Sequence, residues 1–126
     1  MKQLLILLIT LAIIIISGIW EISYLKESSH YFLADISNLY QIAQRENYEL
    51  AKKEGKNIKK TWEKIEKTWA LFIDDRKMED IEEELVSFVS YIDSQDKTEI
   101  HASYERLKNN VKDIAEYECL NAENIF

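Results

Sequence analysis

Few residues in this chain are suited to chemistry. Its only histidines are His30 and His101, and its only cysteine is Cys119. Metal binding needs several ligands converging in a fixed geometry, and no H-x-x-x-H or C-x-x-C spacing occurs. The acid run Glu79–Glu84 offers the hard oxygens that Ca²⁺ takes, but it lacks the D-x-[DN]-x-[DN]-G order of an EF-hand loop. Acids in the first turns of a helix complement its dipole, and that simpler reading is preferred. Nucleophilic catalysis needs a nucleophile held against a base. Cys119 has no histidine near it in sequence, and no serine stands in a G-x-S-x-G turn. Any acidic protein supplies carboxylate pairs, yet no group here meets the combined requirements of nucleophile, base and oriented partner. The expectation is a non-catalytic chain with no cofactor and no metal site.

Other residues are candidates for binding. Lys52, Lys53, Lys56, Lys59, Lys60, Lys64 and Lys67 outnumber Glu54, Glu63 and Glu66 in one local charge reversal. Such a patch suits an extracellular polyanion; as a plain alternative it is a solubilising surface with i,i+4 pairs such as Glu63–Lys67. Trp62 and Trp69, seven residues apart, share a helix face and are read as core. Cys119 cannot form an internal disulfide alone and is expected to be buried as a small apolar group. Ile125 and Phe126 either fold back on the chain or form an exposed partner-binding end.

The elements that position these residues are helices. Proline is absent, glycine occurs only at Gly18 and Gly55, and a β-rich fold would need more turn chemistry than that. Ile22, Leu25, Ser29, Phe32, Ile36, Leu39, Ala43, Glu46 and Leu50 are spaced 3-4-3-4, a heptad seam. Gly55 reads as its stop, which predicts one helix over residues 4–54. Asn57 reads as the cap of a second helix, with Ile58, Trp62, Ile65, Trp69 and Phe72 on one stripe. Asp74–Lys77 reads as a polar break. A third helix carries Met78, Ile81, Leu85, Phe88 and Ile92. Asp96 and Glu99 resemble a capping box for a fourth, carrying Ile100, Tyr104, Leu107, Val111 and Ile114. Short breaks make successive helices antiparallel neighbours.

The N-terminus sets the location. Leu4–Trp20 is seventeen residues without a charge, about the lower limit of ~17 for a bilayer-spanning helix. Lys2 can snorkel to one interface, and Trp20 and Tyr24 suit the other. A cleaved secretory signal fits less well, because the run exceeds the usual ~7–15-residue apolar core of a signal and Ser17-Gly18 has bulky isoleucine neighbours. The short N-terminal flank with Lys2 favours an N-inside signal anchor. The rest of the chain is then extracytoplasmic. With 23 acids against 16 bases, net charge −7, it has no global attraction to nucleic acid.

The apolar N-terminus, Trp62-Glu63-Lys64 with Trp69, Leu71-Phe72-Ile73-Asp74 and the ending Asn124-Ile125-Phe126 together resemble an uncharacterised domain-of-unknown-function family. Its members are short, N-terminally membrane-anchored helical proteins from spore-forming Gram-positive bacteria. The family pattern carries a His followed two residues later by a Glu, where this chain has Asp75 and Lys77. The resemblance implies an anchored helical architecture and brings no assigned activity.

The reading is an all-α chain. Residues 1–20 form a transmembrane anchor continuous with a long helix, and residues 21–126 form an extracytoplasmic antiparallel bundle of about four helices. The long helix is expected to outrun its companions and leave Ile22, Leu25, Phe32 and Ile36 as spare apolar surface above the bilayer. With Ile125 and Phe126, these are the expected partner-binding residues, for self-association or for a larger membrane protein. The alternative is a binding module for an envelope polyanion or small ligand.

Overall fold

The computed structural model describes the backbone of residues 1–125 and the side-chain surroundings of residues 1–118 and Leu120. The expectations for Cys119, Ile125 and Phe126 lie outside those described side chains. Four helices account for the fold: α1 (Lys2–Gln44), α2 (Tyr48–Trp69), α3 (Asp75–Ser94) and α4 (Lys97–Ile125). Strands do not occur among the described residues. Neighbours pack in a closed ring, α1 on α2, α2 on α3, α3 on α4 and α4 back on α1.

At 43 residues and about 1.5 Å rise per residue, α1 is about 65 Å long. Its first half is apolar and none of its most apolar stretch is buried in the protein. The second half turns one stripe inward: Leu25, Phe32, Ile36, Leu39 and Ala43 are all buried.

The long helix ends ten residues earlier than its heptad seam predicts. Glu46 takes a left-handed conformation, φ 62°, its N–H donates to Ala43 O, and the Asn47 N–H donates to Ile42 O. That pair of bonds is the Schellman arrangement, usually built on glycine. Asn47, not Asn57, then caps α2 by accepting the Leu50 N–H at 3.4 Å. Gln95 repeats the device at the end of α3, with φ 58° and bonds from Gln95 N to Ile92 O and from Asp96 N to Tyr91 O. The last bond explains why Asp96 makes only half a capping box. Its carboxylate accepts the Glu99 N–H, but its own N–H is already used.

Gly55 is therefore not a helix stop. It lies buried inside α2, where a Cβ would meet Val89 Cγ1 at 3.2 Å. Its missing side chain lets α2 approach α3. The core stripe of α2 runs Ala51, Gly55, Ile58, Trp62, Ile65 and Trp69. The stripes of α3 and α4 are buried at every position read from the sequence, Met78 to Ile92 and Ile100 to Ile114. The α2–α3 connection spans residues 70–74, and Asp74 caps α3 through the Arg76 N–H at 3.4 Å, so Asp75–Lys77 is helix, not loop.

Side-chain pairs fix the heights of the helices. Lys97 pairs with Glu46 at the tip far from the apolar run. The Tyr40 hydroxyl meets His101 Nδ1 at 2.7 Å below it. At the base, Trp69 Nε1 donates to Ser28 Oγ at 2.8 Å.

Two stability changes follow. Gly55→Leu is expected to lower the stability of the full chain in detergent by about 1–3 kcal/mol through overpacking against Val89, read from urea unfolding by circular dichroism. Gln95→Gly relieves a left-handed residue and is expected to stabilise by roughly 0.5 kcal/mol, raising the melting temperature by about 2–4 °C.

Candidate functional site

The expected partner stripe is not on the surface. Leu25, Phe32 and Ile36 are at most 2% exposed, and Ile22 is half-buried. The expectation assumed that the other helices are too short to cover α1. The early turn at Arg45–Asn47 instead returns a 22-residue α2 along the whole upper half of α1, and α4 lies on its other side. Phe32 packs on Trp62 with ring centroids 5.4 Å apart, and Trp62 meets Trp69 edge-to-face at 5.8 Å. A glutamate in place of Phe32 would therefore break the core.

What remains on the surface falls into three regions. The first is the basic face of α2. Lys52, Lys53, Lys56, Lys60, Lys64 and Lys67 are exposed and Lys59 is half-buried. They run down the helix instead of clustering at the tip, because the tip is Arg45–Asn47.

The second is acidic. Between α1 and α2, Asp35, Asn38, Glu54, Asn57 and Thr61 line a groove of about 240 Å³. Partial burial raises the pKa of Asp35, and Glu54 raises it further. Between α2 and α3, Glu66 is also raised, first by burial and then by Glu82 and Glu63. Groups raised in the folded state favour folding below their unfolded pKa and lose that contribution as pH rises through the folded value. Both carboxylates thus favour the bundle towards acid. Among the described residues, no three His, Cys, Asp or Glu side chains come together as metal ligands.

The third region is the base of the bundle, nearest the apolar run. The α1–α4 groove there is about 360 Å³ and is lined by Lys26, Ser29, His30, Leu33, Lys112, Ala115 and Glu116. The α3–α4 groove of about 280 Å³ adds Lys77, Asp80, Asn110, Asp113, Ile114 and Tyr117, with Lys77 Nζ 4.0 Å over the Tyr117 ring. Leu71, in the α2–α3 connection, is 78% exposed. Sequence reading missed it because it follows the Trp69 stripe directly. Its register on α2 was the available signal: it falls two residues after a core position, whereas core positions recur every three or four.

His30 belongs to the base and His101 to the upper half, where Tyr40 is also stacked on Tyr104 at 4.1 Å. The two histidines therefore do not combine.

No curated protein and no solved structure matches the chain. A family described as a domain of unknown function, DUF4363, matches residues 19–125, which takes in all of the bundle and begins at the end of the apolar run. The chain belongs to the DUF4363 family.

Proposed function

We propose that this chain is a non-catalytic interaction protein, anchored by one N-terminal span and holding its helical bundle outside the cytoplasm. The observation that carries the reading is the unbroken α1. One helix is long and apolar enough to cross a membrane at its start and supplies core side chains at its end. A flexible leader needs no such continuity. Lys2 before the run and the stacked Trp20–Tyr24 pair after it, 5.6 Å between centroids, fit the two interfaces of an N-inside span. Since the bundle closes on its own stripes, a second copy or a larger membrane protein meets this chain along the span, whose side chains are exposed throughout.

A second reading is favoured by the exposure of the α2 lysines, which form a face that an envelope polyanion fits.

The full chain is expected to stay in the membrane fraction through alkaline carbonate extraction. In a Cys119→Ser background, Val86→Cys should react with a membrane-impermeant maleimide on intact cells, and a photocrosslinker replacing Ile13 should give adducts of higher mass. Release by carbonate rejects the anchor, protection of position 86 rejects the orientation, and absence of adducts rejects a partner along the span. For the second reading, replacing Lys56, Lys59, Lys60 and Lys64 by Gln should abolish retention of the chain on isolated wall polymer. Equal retention of variant and parent dismisses it.

A further inference from the structure

Outside the apolar run, the exposed large apolar side chains among the described residues are Tyr31, Leu50, Leu71, Val86, Tyr117 and Leu120. Single exposed apolar residues need no explanation, and Tyr31, Leu50 and Val86 stand apart on three different helices. Leu71, Tyr117 and Leu120 do not. They come from the α2–α3 connection and from α4, and all three lie at the base.

Their height is fixed by contacts. Trp69, two residues before Leu71, bonds to Ser28 of α1. The α1–α4 groove puts Glu116 beside Lys26, so Tyr117 and Leu120 lie level with Lys26 or nearer the apolar run. Trp20 ends that run only six residues before Lys26, about 9 Å along the helix. The polar layer of a bilayer is about 5–7 Å deep on each side of its ~30 Å core. Side chains projecting from the base reach it.

The local structure presents these residues firmly. Backbone bonds from Leu71 N to Thr68 O, Phe72 N to Trp69 O and Ile73 N to Trp69 O hold the connection as a tight turn. Ile73 is buried and Phe72 half-buried, while Leu71 is turned outward. Tyr117 is amphipathic, with its ring under the Lys77 ammonium, and tyrosine is enriched at membrane interfaces. Charge does not drive the contact: beside Lys26, Lys77 and Lys112 the base grooves carry Asp80, Asp113 and Glu116, and Arg76 follows Asp74 and Asp75. A zwitterionic headgroup layer is therefore sufficient.

We propose that the base of the bundle seats on the headgroup layer of the bilayer that anchors it, with Leu71 inserted and Tyr117 and Leu120 beside it. The proposal rests on the anchor reading above. Seating fixes the height of the bundle and turns one face towards the lipid, and through the continuous α1 it fixes the tilt of the span as well.

The test uses the full chain with Cys119→Ser in phosphatidylcholine vesicles containing lipid spin-labelled near the headgroup. An environment-sensitive fluorophore is attached in turn to Leu71→Cys, Leu120→Cys, Val86→Cys and Ile13→Cys. The labels at positions 71 and 120 are expected to be quenched at least about twofold more than the label at 86, as a depth within the polar layer requires, with no added quenching in anionic vesicles. Quenching at 71 and 120 no greater than at 86 overturns the seating. The Ile13 label separates the two failures. If it is quenched by lipid spin-labelled deep in the acyl chain while positions 71 and 120 are not, only the seating falls. If position 13 is also unquenched, the anchor falls and the seating with it.

Discussion

α1 carries two surface patterns on one uninterrupted backbone, apolar all round at its start and a single buried stripe at its end, and the rest of the structure is arranged around that constraint. Over residues 4–20 every side chain is apolar or small and faces outward. From Leu5 on, the backbone N–H groups of this stretch are bonded inside the helix, the arrangement that a membrane-spanning segment requires. From Leu25 onward the apolar side chains withdraw to one stripe and charged residues take the other faces. A helix with a single stripe needs partners along its whole length, and α2 and α4 supply them on either side while α3 closes the ring.

The polar groups inside this core show where it is finished tightly. Ser28 Oγ donates to Tyr24 O at 2.6 Å and accepts from Trp69 Nε1 at 2.8 Å, so the last core aromatic of α2 is pinned to α1 just above the apolar run. Burying an unpaired indole N–H costs roughly 1–3 kcal/mol, and at Trp69 that cost is avoided. Trp62 Nε1 is buried without a hydrogen-bond partner among the described residues. Its packing against Phe32 and Trp69 has to offset that cost. The aromatic cluster thus joins one satisfied and one unsatisfied donor, and the satisfied one lies nearer the apolar run.

Periodicity made three of the four helices legible. The stripes of α3 and α4, and Ile58 to Trp69 of α2, are buried as their spacing predicts, because a 3-4 repeat has one way to face a core. Periodicity failed at the end of α1, since the seam ran on by coincidence through Glu46 and Leu50, both exposed in the fold. The turn there uses Glu46 in a conformation that glycine normally signals. The one available glycine, Gly55, serves helix packing against Val89 instead. Ala51 and Gly55 extend the Ile58–Trp69 stripe backwards at the same spacing, so the true start of α2 was readable in that stripe. The misplaced turn then produced the second error: a helix to residue 54 leaves its companions too short, and Ile22, Leu25, Phe32 and Ile36 look uncovered.

Moving that turn changes where interaction is physically available. With the upper stripe of α1 consumed internally, little apolar surface is left in the bundle, and what remains as a group lies at the base. The large unpartnered apolar surface is the first half of α1. Grooves on both sides of α4 open near the same level, one with Lys26, His30 and Lys112 at its rim and one with Lys77 over the Tyr117 ring. A bundle that shares a continuous helix with the apolar run transmits tilt from one to the other, because a sharp bend takes a proline, a Gly/Ser pair, a π-bulge or a side chain inserted into the bond ladder. α1 has no proline, and its Ser17-Gly18 pair lies inside the apolar run, before Trp20. From Trp20 onward, the tilt of α1 and the tilt of the bundle are therefore coupled. Whatever fixes that tilt positions the basic face of α2 and the acidic grooves at the same time.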